Sequence, residues 1–520
     1  MRPPIQLARA ETAGAAPETV IIGKDLLELV STAMYTDPLT IYREYVQNAA
    51  DGIDMAVEES LLDSRADGRI ELRVDPAARE ARVRDNGAGV PAIAAAQVLS
   101  AFGASRKRGQ PVRGFRGIGR LAALGFCQTV TFTTKAAGDT VVTEVRWDCR
   151  KLRAFLRDPR YSGSLEDIVR EVVTVRTHDS PASAEHFFEV RLQQVVRMRE
   201  DLLLNEDAIR RYLAQVAPVP FASEFPFGQQ ISEFLKEYIP GGAFQIFVGE
   251  TGSQLVRPHH GTVQVTRTTR DTYTTWEPII LQDADLQHPA AVGWIAHHNY
   301  LGAISAQPEV SGLRARVGDI QVGNHDLFQK IFAEARFNSW VIGEIQVLDP
   351  RVVPNGRRDD FEQHPAVASL HNRLGPLGRT LSAQIRNSSK ARARVKAIDR
   401  AAGQLDGVLT AVETGLVHGT GRRALVSKVR EGLQAIEQLI NSEPPENEKT
   451  LGPPAMLIEL RERFARADSA EAAGPHPLQH LPEAERMLFD RVTGIVFECT
   501  ADAATARALL EQVTQRLAST

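Results

Sequence analysis

Glu44, Asn48 and Asp51, in the run REYVQNAAD, are separated by four and then three positions. On a helix of 3.6 residues per turn that spacing puts all three on one face. Tyr42, Val46, Ala49 and Ile53 gather on another face and can bury against a sheet. An acid, an amide and a second acid stacked in this way suit a metal ion held beside phosphate. Mg2+ takes hard oxygen ligands, mostly water and phosphate, with one or two from protein. Asn48 can supply such an oxygen without adding negative charge next to the phosphates. Glu44, one turn away, can orient or deprotonate an attacking water. On its own the pattern reads as the solvated face of an amphipathic helix.

Two further clusters follow it. RDNGAGV carries Asp85, Gly87 and Gly89. A carboxylate at a strand end accepts the exocyclic amino group of adenine and rejects the carbonyl of guanine. Glycine has no Cβ, so a flat ring can approach the backbone. Taken alone, this run is also an ordinary Asn-Gly hairpin turn. GFRGIGR then supplies Gly114, Gly117 and Gly119. Its order, G-x-x-G-x-G, reverses the dinucleotide fingerprint, and no G-x-x-x-x-G-K-[ST] occurs, which excludes Rossmann and P-loop sites. A glycine turn opening the apolar run LAALGF still offers bare N–H groups to phosphate. Each cluster is weak alone; the three in this order specify a nucleotide site.

The elements that must position these residues alternate. Residues 1–17 are Ala/Pro-rich and read as a loose arm; VII is a short strand, and a helix runs from near Lys24 to Tyr35. Pro38 suits the first turn of the helix that carries Glu44. RIELRV, ARVRDNG, TVTFTTK, TVVTEVRW and HFFEVRL alternate with period two and read as strands. Helices mixed with mainly antiparallel strands predict an α+β class, with a nucleotide-binding sandwich over 18–200. Residues 205–365 hold more strand-like runs (AFQIFVG, TVQVTRTTR, AVGWIAHHNYLGAI, LRARVGDIQV, WVIGEIQVLD) and read as a second α/β domain. A helical region, 366–520, follows. In it Val395, Ile398, Ala402, Leu405, Leu409, Val412 and Leu416 step by threes and fours, a heptad seam. The turn HGTGRR and a second helical run make an αα-hairpin over 390–440 the first expectation and an intermolecular coiled coil the second. A breaker-rich linker, 441–455, leads to terminal helices over 456–520.

A length of 520 residues suggests about three domains. Net charge is -4, so no global positive field advertises nucleic acid. Cys127, Cys149 and Cys499 are too scattered for a disulfide framework or a zinc site. His259-His260 and His297-His298 are adjacent pairs; neighbours on a strand point to opposite faces, so each is expected to be a surface feature rather than a chelate. No signal-like or membrane-length apolar run occurs, which predicts a cytoplasmic protein with no membrane partner.

The three clusters resemble those of the GHKL superfamily, which has the Bergerat fold and hydrolyses ATP with Mg2+. The run ETVIIGKDLLELVSTAMYTDPLTIYREYVQNAADGID is similar to the ninety-kilodalton heat-shock chaperones along nearly its whole length. The resemblance implies Glu44 as catalytic carboxylate, Asn48 at Mg2+ and phosphate, Asp51 beside the site and Asp85 on adenine. It implies Gly87 and Gly89 at the base, and Gly114, Gly117 and Gly119 at the phosphates. VLSAFGASRKRGQPV would be the lid, where Arg106, Lys107 and Arg108 could reach phosphate. The loop VVPNGRRDDFE resembles the chaperones' middle-domain segment, matching Asn355 to its asparagine and Arg358 to its catalytic arginine, with Arg357 as substitute. Three features depart: the lid is shorter than in those chaperones, GFRG is closer to MutL-type ATPases, and Glu185-His186 stands where the chaperones have Gly-Thr. The family implies an ATP-driven, chaperone-like clamp with protein clients and a homodimer. The alternative is a nucleic-acid-associated clamp of MutL or MORC type, in genome maintenance or phage defence.

Overall fold

The computed structural model describes residues 37–101, 119–441, 455–469 and 475–519, apart from 162, 182, 199, 240, 250, 251 and 501. The expected strand and helix before Thr36, residues 102–112 of the expected lid, Gly114 and Gly117 lie outside the described residues. The architecture is α+β, with two sheets and a helical C-terminal region. The chain divides into two compact units, Met1–Ser382 and Ala383–Thr520.

Helix α1 spans Thr40–Glu58. Asp37 Oδ1 accepts the Leu39 N–H at 2.9 Å, satisfying a donor at the helix entrance. Ile41, Tyr42, Tyr45, Val46, Ala49, Ala50 and Ile53 are each no more than 2% exposed. Burying an aliphatic or aromatic side chain this fully is worth roughly 1.5–3 kcal/mol, so α1 is fixed by packing. Its polar ridge is not the solvated face the spacing alone allows. Arg43, Glu44, Gln47 and Asp51 are buried as well, and Asn48 is half-buried.

The first sheet has the strand order β5-β4-β3-β6-β2-β1-β7. Its members are β1 (Arg69–Asp75), β2 (Glu80–Asp85), β3 (Thr129–Lys135), β4 (Val141–Asp148), β5 (Val173–Asp179), β6 (Phe187–Gln193) and β7 (Gln245–Val248). Every pairing is antiparallel except β1 with β7. Period-two alternation decides which face Asp85 takes. Ala81, Val83 and Asp85 of β2 are buried, whereas Glu80, Arg82 and Arg84 are not. Asp85 therefore shares the core-facing side with Ile70, its register partner on β1. Strand β7 comes from AFQIFVG, which the sequence grouped with the second domain. It joins the first sheet because Ile246 and Val248 complete the same core as Ile70 and Leu72.

The second sheet runs β12-β11-β13-β10-β9-β8. It contains β8 (Thr262–Gln264), β9 (Arg270–Leu281), β10 (Ala291–His298), β11 (Gly312–Val317), β12 (Ile320–Val322) and β13 (Ile342–Val347). All residues of β10 and β13 are buried. The histidine pairs are not surface features, which corrects the expectation. His259, His297 and His298 are buried; only His260 is exposed. The register with β9 shifts between His297 and His298, and both rings pack against Tyr300. His297 meets Tyr300 Oη at 2.7 Å and Glu277 at 3.2 Å, while His298 meets Asp271 at 2.7 Å and the Trp340 carbonyl at 2.9 Å. Burial disfavours the Asp271 charge, but hydrogen bonds from His298, the Leu301 amide and Asn299 outweigh it and hold the carboxyl well below its usual range.

In the second unit, the later part of Pro365–Glu413 packs with Gly419–Asn441, Ala455–Ser469, Glu483–Cys499 and Ala503–Ala518. Ile398, Ala402, Leu405, Leu409, Val412 and Leu416 of the heptad seam are buried against Leu425, Val429, Leu433 and Ile436 of the next helix. Val395 is 51% exposed and lies outside this core. Among the described residues no helix is long and apolar enough to cross a membrane.

Candidate functional site

Glu44 sits on the second turn of α1 with 9% exposure. Its Oε1 lies 3.5 Å from Arg43 Nη2 and 3.9 Å from Arg358 Nε, so two guanidinium groups flank one carboxylate. A Cβ at position 119 would collide with Glu44 Oε2, which makes glycine obligatory there while this rotamer is kept. Gly119 opens the 3-10 turn Gly119–Gly125, whose Leu121 and Leu124 anchor it in the core. Tyr45 Oη donates to the Arg120 carbonyl at 3.2 Å and ties that turn back to α1.

Arg358 arrives from the loop after β13. The loop closes through a bridge between Pro354 and Phe361, and the Asn355 amide donates to Asp359 Oδ1 at 2.6 Å. Arg358 then adopts φ +56°, a left-handed conformation that costs an L-residue roughly 1–2 kcal/mol. Its carbonyl accepts the Gly323 N–H at 2.8 Å, and it is 7% exposed. The side chain of Arg43 donates to the Arg357 carbonyl at 3.0 Å, so the loop is fastened to α1 beside Glu44. Arg358, rather than the exposed Arg357, is the arginine that approaches Glu44. Arg43 was not singled out from the sequence, since a position adjacent to Glu44 lies off the ridge defined by fours and threes.

Asp85 is 5% exposed, and its Oδ1 accepts the Gly87 N–H at 2.8 Å. Burial pushes the carboxyl up to about 7, with the Gly87 amide and Arg84 opposing the rise. A side chain at 87 would come within 2.6 Å of the Gly52 carbonyl carbon and 2.7 Å of Asp85 Oδ1. The Ala88 N–H donates to the Gly52 carbonyl at 2.9 Å. The missing Cβ thus lets the β2 loop lie directly on α1. Gly89, at φ +70°, has Lys135 and Phe187 carbonyls where a Cβ would stand. Both glycines are accordingly required by the protein's own packing. His186, the residue in place of the usual Gly-Thr, puts Nδ1 at 2.8 Å from the Gly87 carbonyl. A continuous chain of contacts then links Asp85, Gly87 and His186.

Asp51 is 1% exposed, directly behind Gly52 on α1. Asn48 is half-buried, and its side chain makes no hydrogen bond among the described residues. An uncommitted amide between the buried Glu44 and Asp51 suits a metal that takes most of its ligands from water and phosphate.

Residues 44–158 match the family model described as histidine kinase-, DNA gyrase B-, and HSP90-like ATPase. These residues are a GHKL domain. The chain is also similar to chaperone protein HtpG of Nocardia farcinica, 30% identical over 207 residues, which cover 34% of this chain and 30% of that protein. HtpG of Cupriavidus metallidurans is 26% identical over 195 residues, 34% of this chain and 30% of the relative. HtpG of Methylorubrum populi is 29% identical over 208 residues, 36% and 32% respectively. The chain thus matches about a third of the length of these relatives. Asp85 and Gly119 fall inside the GHKL match, and Arg358 lies beyond it.

Proposed function

We propose that this protein binds ATP with Mg2+ in the GHKL domain, hydrolyses it, and uses the cycle as a chaperone-like clamp on protein clients. The observation that carries the reading is the meeting of Glu44, Gly119 and Arg358 around one carboxylate. Asp85 accepts the adenine amino group, and Gly87 and Gly89 shape the wall behind it. Asn48 would hold the Mg2+, which, when bound, neutralises phosphate charge. Asp51 supports the same ridge, and Gly114 and Gly117 join Gly119 at the phosphates. Glu44 takes a proton from the attacking water as its oxygen bonds to the γ-phosphorus and the bond to ADP breaks. Arg358 neutralises charge on the transferring phosphoryl group. Because Arg358 belongs to the loop after the second sheet, hydrolysis depends on that loop staying docked on α1. Chaperone action, clients and homodimerisation are carried over from the HtpG relatives. The exposed stripe Leu488, Val492 and Ile495 on Glu483–Cys499 is the surface this reading assigns to a second copy.

The test is ATP binding by calorimetry alongside steady-state turnover. Asp85→Asn is expected to abolish binding. Glu44→Ala should retain binding and slow turnover by about 10²–10⁴-fold, and Arg358→Ala by about 10³-fold or more. Undiminished nucleotide affinity in Asp85→Asn would overturn the base assignment, and wild-type turnover in the other two would remove their catalytic roles.

A further inference from the structure

A cavity of about 390 Å3 opens beside the N-terminal turn of α1, within the first unit. It is lined by Arg43, Arg314, Arg357 and Arg358, together with Tyr212 and Gln215. None of Asn48, Asp51, Asp85 or Gly119 lines it. Arg43 and Arg358, which line it, also flank Glu44.

Arg314 is its unusual member. It projects from β11, is 3% exposed, and makes no salt bridge among the described residues. Its guanidinium donates only to neutral oxygens: Gln321 Oε1 at 3.1 Å, Gln215 Oε1 at 3.4 Å and the Pro308 carbonyl at 2.5 Å. Its Nε is buried and has no hydrogen-bond partner. The neighbouring buried arginines are served differently, since Arg257 and Arg316 both contact Glu344. Burial lowers the Arg314 guanidinium to about 10; Glu344, Glu309 and Asp326 oppose this and Arg316 adds to it. A buried cation with no carboxylate at salt-bridge distance has its desolvation only partly offset. Three carboxylates, Asp37, Glu309 and Asp359, line the cavity against four arginines, and two of them are partly committed: Asp37 accepts the Leu39 N–H and Asp359 the Asn355 amide. A small oxyanion would supply the missing charge, because arginine forks match phosphate geometry.

We propose that this cavity is a binding site for inorganic phosphate, held by Arg314 and Arg357, which receives the phosphate cleaved at Glu44 by way of Arg43 and Arg358 while ADP is still bound. The proposal rests on the ATPase reading for the source of the phosphate, and on Arg314 and the cavity for the site itself. The two parts are tested separately.

Inorganic phosphate is titrated into the full chain, with and without saturating ADP, by calorimetry. Binding is expected in both conditions, weakened about tenfold or more in Arg314→Gln, the loss of one charge-assisted contact of ~1.4 kcal/mol or above. Arg357→Ala, an exposed position that leaves the interior intact, should weaken it in the same direction. In turnover assays added phosphate should inhibit noncompetitively with ATP, and both variants should lose that sensitivity. Displacement of phosphate by ADP, equal affinity in wild type and both variants, or inhibition competitive with ATP would each overturn the site. If ADP does not bind at all, the ATPase reading falls, and the titration without nucleotide still decides whether Arg314 holds phosphate.

Discussion

In the second sheet Glu344 lies between Arg257 and Arg316, and Arg257 also reaches Asp319 at 2.7 Å. Burial alone would raise the Glu344 carboxyl, but the two arginines outweigh it and hold it at about 2. In the first sheet Asp85 is nearly as buried, yet a single backbone amide serves one of its oxygens, and its carboxyl rises to about 7. The second sheet compensates its interior charges from within, and the first leaves one acceptor short of donors. A buried charge that is already matched holds structure together, whereas one left short sits where a ligand belongs. Arg314 breaks the rule for its own sheet, which is what separates it from its neighbours.

The largest expected effect comes from unbalancing the matched cluster. Glu344→Gln should cost about 3–5 kcal/mol of stability, because two buried arginines lose their common partner; chemical denaturation reads it directly. A loss below 1 kcal/mol would mean the cluster is not compensated as described. A smaller effect of opposite sign is expected at Asp85. Its folded-state carboxyl lies near 7, above the ordinary value of 3.8, so the native state binds the proton more tightly than the unfolded chain. Stability is then lost as pH rises from about 4 to 7. Asp85→Asn removes the ionisable group, so the nucleotide-free variant should be the more stable protein at pH 7.5, by roughly 1–3 kcal/mol. The advantage should vanish near pH 4. An equal or lower melting temperature at pH 7.5 would count against an under-compensated Asp85. The smallest effect is expected at His186, which acts through the Gly87 peptide. His186→Ala should weaken ATP binding several-fold, consistent with ~1 kcal/mol for one hydrogen bond, with turnover at saturation unchanged. A fall in saturated turnover instead would move His186 from positioning the base to the chemistry.

The α+β class was legible because alternation in ARVRDNG and TVTFTTK is local information, and β2 buries Ala81, Val83 and Asp85 on one side. The ridge of fours and threes likewise predicts which residues of α1 share a face. What stayed illegible depends on partners far along the chain. AFQIFVG gives no sign of which sheet it will join, since its parallel register with β1 is settled by Ile70 and Leu72. His298 looks like a surface residue until Asp271 and the Trp340 carbonyl appear on its two nitrogens. Arg43 carries no motif at all, and its importance lies in reaching a carbonyl of the distant loop.

That last contact has a consequence for how the protein can change over generations. Arg43 grips the main chain at position 357, and every amino acid supplies a carbonyl there. Drift at 357 leaves the latch between α1 and the loop untouched, while drift at 43 releases it. One side of the joint is heritable only as a shape, and the other as a particular residue. Any constraint on the side chain at 357 must then come from the cavity it lines and not from this latch.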